Sequence, residues 1–421
     1  MSAITTYSDT DDVMNQQNGN LIDVDRPIRD TFLIFGSPHI EETDIEEVIA
    51  TLRSGWIGTG PRVGRFEEAF RQYVGARHAL AVNSCTAALH LSLLALGIGP
   101  GDEVITSPMT FAATANVVQH LGAKPVFVDS DRQTCKIDPA RIEDAITSRT
   151  RAILPIHFAG RPCDMTPILD IARRHELYVI EDAAHAVGAQ YEGRQIGTIG
   201  DLTAFSFYVT KNVVTGEGGM VTTDNEEWAS TIKTMALHGL SKDAWKRYSD
   251  EGYQHYQVIQ PGYKYNMMDI QAALGIHQLA RLEDNLVRRE EIWNRYDMAF
   301  QDLPVTLPAP AAPNTRHARH LYTLLIEIDS LNLTRDDVLQ SLHAENIGTG
   351  VHYISLHLQP YYRESFGYQP SDYPNANYVS ERTLSIPLST KLTDDDVADV
   401  IASVQRVLRR ARPRTGLATG R

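Results

Sequence analysis

From residue 79 onward, short apolar runs alternate with segments whose apolar positions recur every three or four residues. Ala79-Leu-Ala-Val82, Glu103-Val-Ile-Thr106, Pro125-Val-Phe-Val-Asp129, Ala152-Ile-Leu-Pro-Ile156, Leu177-Tyr-Val-Ile-Glu-Asp182 and the run around Phe205 are short enough and apolar enough to be buried strands. Helices are predicted between them at Cys85–Leu96, Phe111–Leu121 and Met165–His175. Strands read as unbroken apolar runs, rather than alternating ones, are those covered on both faces, so the pattern predicts a largely parallel sheet with helices on each side.

Before this block, helical spacing of Ile45, Val48, Ile49 and Leu52 predicts a helix over Ile40–Ser54 with one apolar face. A second amphipathic helix is predicted near Val63–Val74, after the Gly- and Pro-punctuated Ser54–Pro61 turn. Beyond Gly262 the period is helical, at Met267–Leu279 and Leu282–Phe300, until the Pro-rich Leu307–Pro313 linker. A strand at Leu321–Ile328, a helix opened by Thr334 with Asp337 three residues on, a strand near Val351-His-Tyr353 and a helix near Asp394–Leu408 predict a smaller α+β unit. At 421 residues the chain exceeds the roughly 250–300 at which one core stops growing. The expected organisation is an acidic flexible leader over 1–30, a large domain over 31–280, and a connecting helix with a small domain over 281–421.

Charge narrows the function classes. The net charge of −14 speaks against a nucleic-acid footprint, which needs a basic surface. No apolar run approaches the ~18 residues of a membrane span and the N-terminus has no signal-type pattern, so a cytoplasmic protein is expected. Cys85, Cys135 and Cys163 have neither metal-ligand spacing nor the density of a disulfide framework, and no metal site is expected.

Three segments carry chemistry. In Asp201–Met220 an apolar run ends at Lys211, flanked by Thr210 and Asn212, before a Gly-rich turn. An amine delivered to a sheet edge and partly desolvated there is a candidate Schiff-base lysine, with a surface loop lysine as the plain alternative. The turn Asn83-Ser-Cys-Thr-Ala-Ala88 lies between a strand and a helix and reads either as a phosphate cradle, helped by the Ser84 and Thr86 hydroxyls, or as an ordinary N-cap. Asp182 ends a buried strand, where a carboxylate needs a cation, and a protonated pyridine nitrogen is such a cation. A dinucleotide enzyme could also use a strand-end acid, but no G-x-G-x-x-G opens a βα unit here. His185 reads equally as a cofactor contact and as a satisfied core histidine.

A phosphate-type turn, a strand-end aspartate and a strand-end lysine, in that order, describe a site for pyridoxal 5'-phosphate (PLP). On these residues the chain resembles the DegT/DnrJ/EryC1/StrS sugar aminotransferases, PLP enzymes of the type I aspartate aminotransferase fold. The resemblance runs from about Ile40 to about Leu408 and is carried by Ser54-Gly-Trp56, Asn83–Leu89, Glu181–Gly188, Phe205–Gly219, Gly262–Gly275 and His352–His357. It implies an α/β fold with a mostly parallel central sheet and a smaller α+β C-terminal domain. Lys211 matches the family's Schiff-base lysine, Asp182 the partner of the pyridine nitrogen, His185 a neighbour of the ring hydroxyl where glutamine is also common, and Phe111 an aromatic stacked on the ring. Cys85, Thr86 and Ser206 match phosphate contacts. Asn266 matches an asparagine that reaches the phosphate of the neighbouring subunit, which implies a homodimer with shared sites. Cys85, where Gly or Ala is common, and Ser355, where proline is frequent, depart from the family pattern.

The reaction so implied is transfer of the amino group of glutamate to a nucleotide-linked keto-sugar. Lys211-Asn-Val-Val-Thr-Gly-Glu-Gly-Gly219 resembles the loop of family members acting at sugar C4, so a 4-keto-6-deoxysugar is the expected acceptor. Lys246 and Arg247 are candidate diphosphate contacts, with a solvated basic turn as the alternative, and His352, Tyr353 and His357 are further substrate candidates. The family's dehydratases tend to replace the lysine by histidine, so Lys211 counts against that chemistry, and the complete set of matched residues counts against a non-catalytic sensor.

Overall fold

The computed structural model describes residues 26–241 and 256–411. Seven strands form the central sheet: β1 (His78–Val82), β2 (Glu103–Thr106), β3 (Lys124–Phe127), β4 (Thr150–Leu154), β5 (Tyr178–Asp182), β8 (Leu202–Ser206) and β9 (Gly219–Thr223). Their order is β1-β9-β8-β5-β4-β2-β3. From β8 through β5, β4 and β2 to β3 every pairing is parallel. β9 is inserted antiparallel between β8 and β1. Because both neighbours oppose β9, β1 points the same way as β8. The C-terminal ends of β1, β5 and β8 therefore share one edge.

Each face is closed by helices whose apolar stripes fit the pleat. Strand residues alternate in direction, so Phe205 and, just past the strand end, Phe207 go to one face while Ala204 and Ser206 go to the other. On the first face Phe205 and Phe207 pack edge-on against Phe66 and Phe70 of α2 (Pro61–Val74). There α5 (Met165–Arg174) also seats Ile168 and Ile171 against Ile105, Ile153 and Val179. The opposite face is covered by α3 (Cys85–Ala95), α4 (Ala112–His120) and α6 (Glu226–Met235), in one core with Val104, Leu154, Ile180 and Ala204.

Two three-stranded sheets complete the strand set. One joins β6 (Gln190–Tyr191), β7 (Arg194–Gln195) and β11 (Thr315–Arg316), and the other orders β10 (Val305–Thr306), β12 (Tyr322–Ile326) and β13 (Thr383–Ile386) antiparallel. Around the latter, α8 (Leu282–Phe300), α9 (Arg335–Ala344) and α12 (Asp394–Arg410) build a separate core of Trp293, Tyr296, Tyr322, Leu342 and Val404. The Thr334–Asp337 capping box opens α9 as its spacing predicts. In the Pro-rich segment the Arg161 guanidinium clamps the carbonyls of Ala309 and Pro310.

Three expectations change. No strand forms at 351–353. After Gly350 pairs with Ser385 the chain leaves the sheet, and side chains satisfy its backbone instead: Thr383 Oγ1 donates to His352 O and Ser380 Oγ accepts from Ser355 N. The apolar positions of α1 (Glu42–Ser54) do not face the core. Ile45, Ile49 and Leu52 are exposed, while the buried contacts of α1 come from Asp44, held by Arg281 and Gln278. Of the acidic leader, residues 1–25 lie outside the described residues, whereas 26–30 are tied down: Arg29 reaches Asp396 and Asp399 at 2.7 and 2.8 Å. Among the described residues no helix is long and apolar enough to cross a membrane.

Candidate active site

A cavity of about 590 Å3 opens where β1, β5 and β8 end. Residues singled out in the sequence line it, among them Ser84, Cys85, Thr86, Phe111, Asp182, His185, Ser206, Lys211, His352 and Tyr353. The parallel register explains the convergence. Asp182 is the last residue of β5, Ser206 the last of β8, and α3 starts three residues after β1.

At the start of α3, Ser84 caps the helix by accepting from Ala87 N at 3.1 Å. The N–H groups of Cys85 and Thr86, in the first turn, have no helical acceptor and sit at the positive end of the dipole. Gly219 makes room beside them. A Cβ there would meet the carbonyl carbon and oxygen of Ser84 at 2.5 Å and Cys85 N at 2.7 Å. This close approach sets the start of β9 against the helix terminus, leaving a cradle for an anion.

Lys211 follows β8 in a turn closed by Lys211 N donating to Tyr208 O at 2.8 Å. Desolvation lowers its amine to about 8, against the opposing pull of Cys85 and Asp182. Among the described residues its Nζ makes no hydrogen bond, which suits a nucleophile. Asp182 is buried, and desolvation raises its carboxyl above the ordinary range despite Thr114, the Ala184 N–H and the Lys211 charge. Its Oδ2 accepts from Thr114 Oγ1 at 2.7 Å and its Oδ1 from Ala184 N at 3.1 Å. A buried carboxylate that forms no salt bridge among the described residues, near a cradle and a bare amine, fits the ring nitrogen, phosphate and aldehyde of PLP.

His185 Nδ1 accepts from Ala159 N at 3.2 Å, which leaves the ring proton on Nε2, 3.1 Å from the Tyr353 hydroxyl. Burial drives this imidazole well below its usual range, helped by the Lys211 charge, so it is neutral. His352 pairs with Ser385 Oγ at 2.9 Å and is lowered by burial to about 4. Asn212 holds the loop after Lys211 in place, donating to Ala318 O at 2.7 Å. Beneath Asp182, His157 and Glu181 form a buried pair at 2.9 Å, with Cys163 N donating to the other ring nitrogen.

Two candidates stand elsewhere. His357 is fully buried and does not line this cavity; it is bonded to Ser355 Oγ and edge-on to Tyr373. Asn266 is not among the residues lining this chain's cavity. It bridges Val82, and its Nδ2 donates to Thr59 Oγ1 at 2.6 Å. Lys246 and Arg247 lie outside the described residues. Residues that sequence reasoning missed include Thr114, Tyr208 and Glu217, all lining the cavity. Thr110, just before the Phe111 N-cap of α4, and Thr114, in its first turn, bring their hydroxyls within 2.7 Å of each other. Among the described residues no group of three or more His, Cys, Asp or Glu could hold a metal ion.

Comparison with known proteins agrees with this geometry. The family model described as "DegT/DnrJ/EryC1/StrS aminotransferase family" matches residues 38–405. The spore coat polysaccharide biosynthesis protein SpsC of Bacillus subtilis is 54% identical over 384 residues, 91% of this chain and 99% of that protein. Among solved structures, Streptococcus pneumoniae Spr1654, assigned as a sugar aminotransferase, superposes in its PLP-form with a TM-score of 0.84 at 35% identity, covering 90% of this chain and 99% of its own. Helicobacter pylori PseC, an aminotransferase involved in the biosynthesis of pseudoaminic acid, gives 0.83 at 28% identity, covering 90% and 100%.

Proposed function

The chain belongs to the DegT/DnrJ/EryC1/StrS aminotransferase family, and from that premise we propose that it moves the amino group of glutamate to C4 of a nucleotide-linked 4-keto-6-deoxysugar, with Lys211 as the covalent anchor of PLP. It is a PLP-dependent sugar aminotransferase. The observation that carries the finer reading is the pairing, in one cavity, of a lysine lowered to about 8 whose amine makes no hydrogen bond among the described residues with a buried aspartate that forms no salt bridge.

When bound, PLP supplies an electron sink for the pair left on the reacting carbon as its proton departs. Lys211 would do the proton work, its free amine taking the proton from the reacting carbon. Asp182 would pair with the pyridine nitrogen and favour its protonated form. The first-turn N–H groups of Cys85 and Thr86, with the Ser206 hydroxyl, would hold the phosphate. Phe111 would cover the ring, His185 would neighbour its hydroxyl, and His352 and Tyr353 would form the mouth for the substrate. Support for C4 comes from the loop after Lys211, where Glu217 reaches the cavity wall. A misplacement of about 1 Å between amine and carbon costs ~10²-fold in rate, so this loop is well placed to set the sugar register.

A homodimer with shared sites belongs to the same reading. Trp56, Ile57 and Met268 are exposed, as are Ile45, Ile49 and Leu52 of α1. Thr59 Oγ1 donates to Met267 O and accepts from Asn266, so Asn266 is tied to the edge of this apolar surface. An apolar patch of this kind suits a subunit contact that would carry Asn266 to the partner's phosphate. Cys85, Cys135 and Cys163 are free thiols, which suits a cytoplasmic location.

The deciding experiment gives the PLP-loaded protein glutamate with matched 3-keto and 4-keto nucleotide sugars and locates the new C–N bond by NMR. Formation of 2-oxoglutarate with nitrogen at C4 is expected. Nitrogen at C3 overturns the regiochemistry, and amination of none of the nucleotide sugars overturns the substrate class.

A further inference from the structure

His320 does not line the PLP cavity, yet it touches His185, which does, and Asn212, which follows Lys211. It lies two residues before β12 and is buried. We propose that His320 is a positioning residue for cofactor capture, one ring nitrogen steadying the Lys211 loop and one ring face steadying His185. The inference rests on the reading of Lys211 as the PLP anchor and deepens it.

The bond toward Lys211 has a defined direction. Asn212 Nδ2 donates to Ala318 O at 2.7 Å, so the other end of that amide, Oδ1, is an acceptor, and it faces His320 Nδ1 at 3.3 Å. His320 therefore carries its ring proton on Nδ1 and donates it. Both side chains are buried, so loss of the donor leaves an oxygen unpaired one residue from Lys211. Burial holds the His320 imidazole well below its usual range, helped by the charges of His185 and Lys211. A neutral ring makes this donation without setting another cation beside an amine that must be uncharged to attack PLP.

The contact toward His185 is made by ring and backbone together. The two imidazoles lie 4.5 Å apart between centroids, tilted by 41°. Ala159 joins the same pair: its N–H donates to His185 Nδ1 at 3.2 Å and its carbonyl accepts from His320 N at 3.0 Å. Gly160 follows at φ +94°, and a Cβ there would meet His185 O at 2.9 Å and His320 N at 3.1 Å, so the two segments are pressed together. Arg289 Nη1 fixes the segment further by donating to the carbonyls of Arg319, His320 and Leu388 at 3.2, 3.4 and 3.1 Å.

Two variants separate the contacts. His320→Phe keeps an aromatic face against His185 and loses the donor, whereas His320→Asn places an amide N–H where Nδ1–H stood and loses the ring. Each is read twice in the cofactor-free protein: by the rate at which added PLP becomes fixed to Lys211, trapped with borohydride and located by peptide mass, and by the 1H–15N NMR signals of the His185 ring. His320→Phe is expected to slow capture about tenfold and to leave one sharp set of His185 signals. His320→Asn should capture PLP within about twofold of wild type while the His185 signals broaden or double. Asn212→Ala, which cuts the bond from its other end, should slow capture at least as much as His320→Phe, and the double variant no further than Asn212→Ala alone. Wild-type capture in His320→Phe, losses that multiply in the double variant, or unchanged His185 signals in His320→Asn overturn the proposal, and so do both readouts moving together in both variants, which marks a general disturbance of the fold. Should His320→Phe fail to fold, Asn212→Ala reads the same bond, and wild-type capture there overturns it equally. Lys211→Ala separates this failure from that of the parent reading. PLP fixed elsewhere in that chain at the wild-type rate removes Lys211 as the anchor, whereas no fixation there, with wild-type capture in His320→Phe, removes His320 alone.

Discussion

The Thr114 hydroxyl donates to Asp182 Oδ2 at 2.7 Å across 68 residues of sequence, and both side chains are buried. Thr110 stands behind it, its hydroxyl 2.7 Å from that of Thr114. In Thr114→Val the shape stays and the donor goes, leaving a buried carboxylate oxygen unpaired, a loss of about 1–3 kcal/mol. The Asp182 carboxyl should rise further, weakening its hold on a protonated ring. We expect PLP affinity to fall about tenfold and the pH titration of the bound-cofactor absorbance to move, with Thr114→Ser restoring both. An unchanged titration in the valine variant would mean that the hydroxyl does not tune Asp182.

Lys211 makes two pH predictions. Burial lowers its amine to about 8 from an ordinary 10.5. PLP capture by the cofactor-free protein needs the uncharged amine, so its rate should climb with pH and level off above about 8. For stability the sign follows from proton counting: between about 8 and 10.5 the unfolded chain binds the proton that the folded chain has released. The cofactor-free protein should therefore gain stability as pH rises through that window, and Lys211→Ala should remove the gain. Chemical denaturation at pH 7, 9 and 10.5 checks the trend, and a wild-type gain that persists in Lys211→Ala assigns it to another group. The same variant should fold yet lose transamination by several orders of magnitude.

Gly219→Ala forces a methyl group into the Ser84 carbonyl and Cys85 N at 2.5–2.7 Å. Backbone cannot swing aside like a flexible side chain, so β9 and the start of α3 must separate. We expect a stability loss of about 1–3 kcal/mol and at least tenfold weaker binding of PLP. A calorimetric trace and PLP affinity matching wild type would show that the cradle tolerates a Cβ.

Shared sites predict complementation. Mixed subunits of Lys211→Ala and Asn266→Ala should regain activity, because one site of the heterodimer carries both lesions and the other neither. Verified subunit exchange with no regained turnover counts against a partner role for Asn266. Ile49→Asp on the exposed α1 face should shift the protein toward monomer in sedimentation experiments.

The sequence by itself determined the alternation of elements and the strand-end chemistry, because short apolar runs, the 3.6 period and the capping signals are local. It placed Asp182 at the end of one strand and Lys211 just beyond another, and the parallel register then carried them to one edge. Long-range pairing decided the rest. The antiparallel insertion of β9, which turns β1 and its helix toward the same edge as β5 and β8, depends on strand partners and not on the apolar pattern of any one strand. The apolar stripe of α1 was legible, but not which way it faced: the Asp44–Arg281 pair turned the polar side inward. His357 was attractive by motif, yet it packs against Tyr373 and does not line the cavity. Val351–Tyr353 looked like a strand because its side chains suit one. In the fold, Ser380 and Thr383 side chains satisfy that backbone, which frees His352 and Tyr353 to line the cavity.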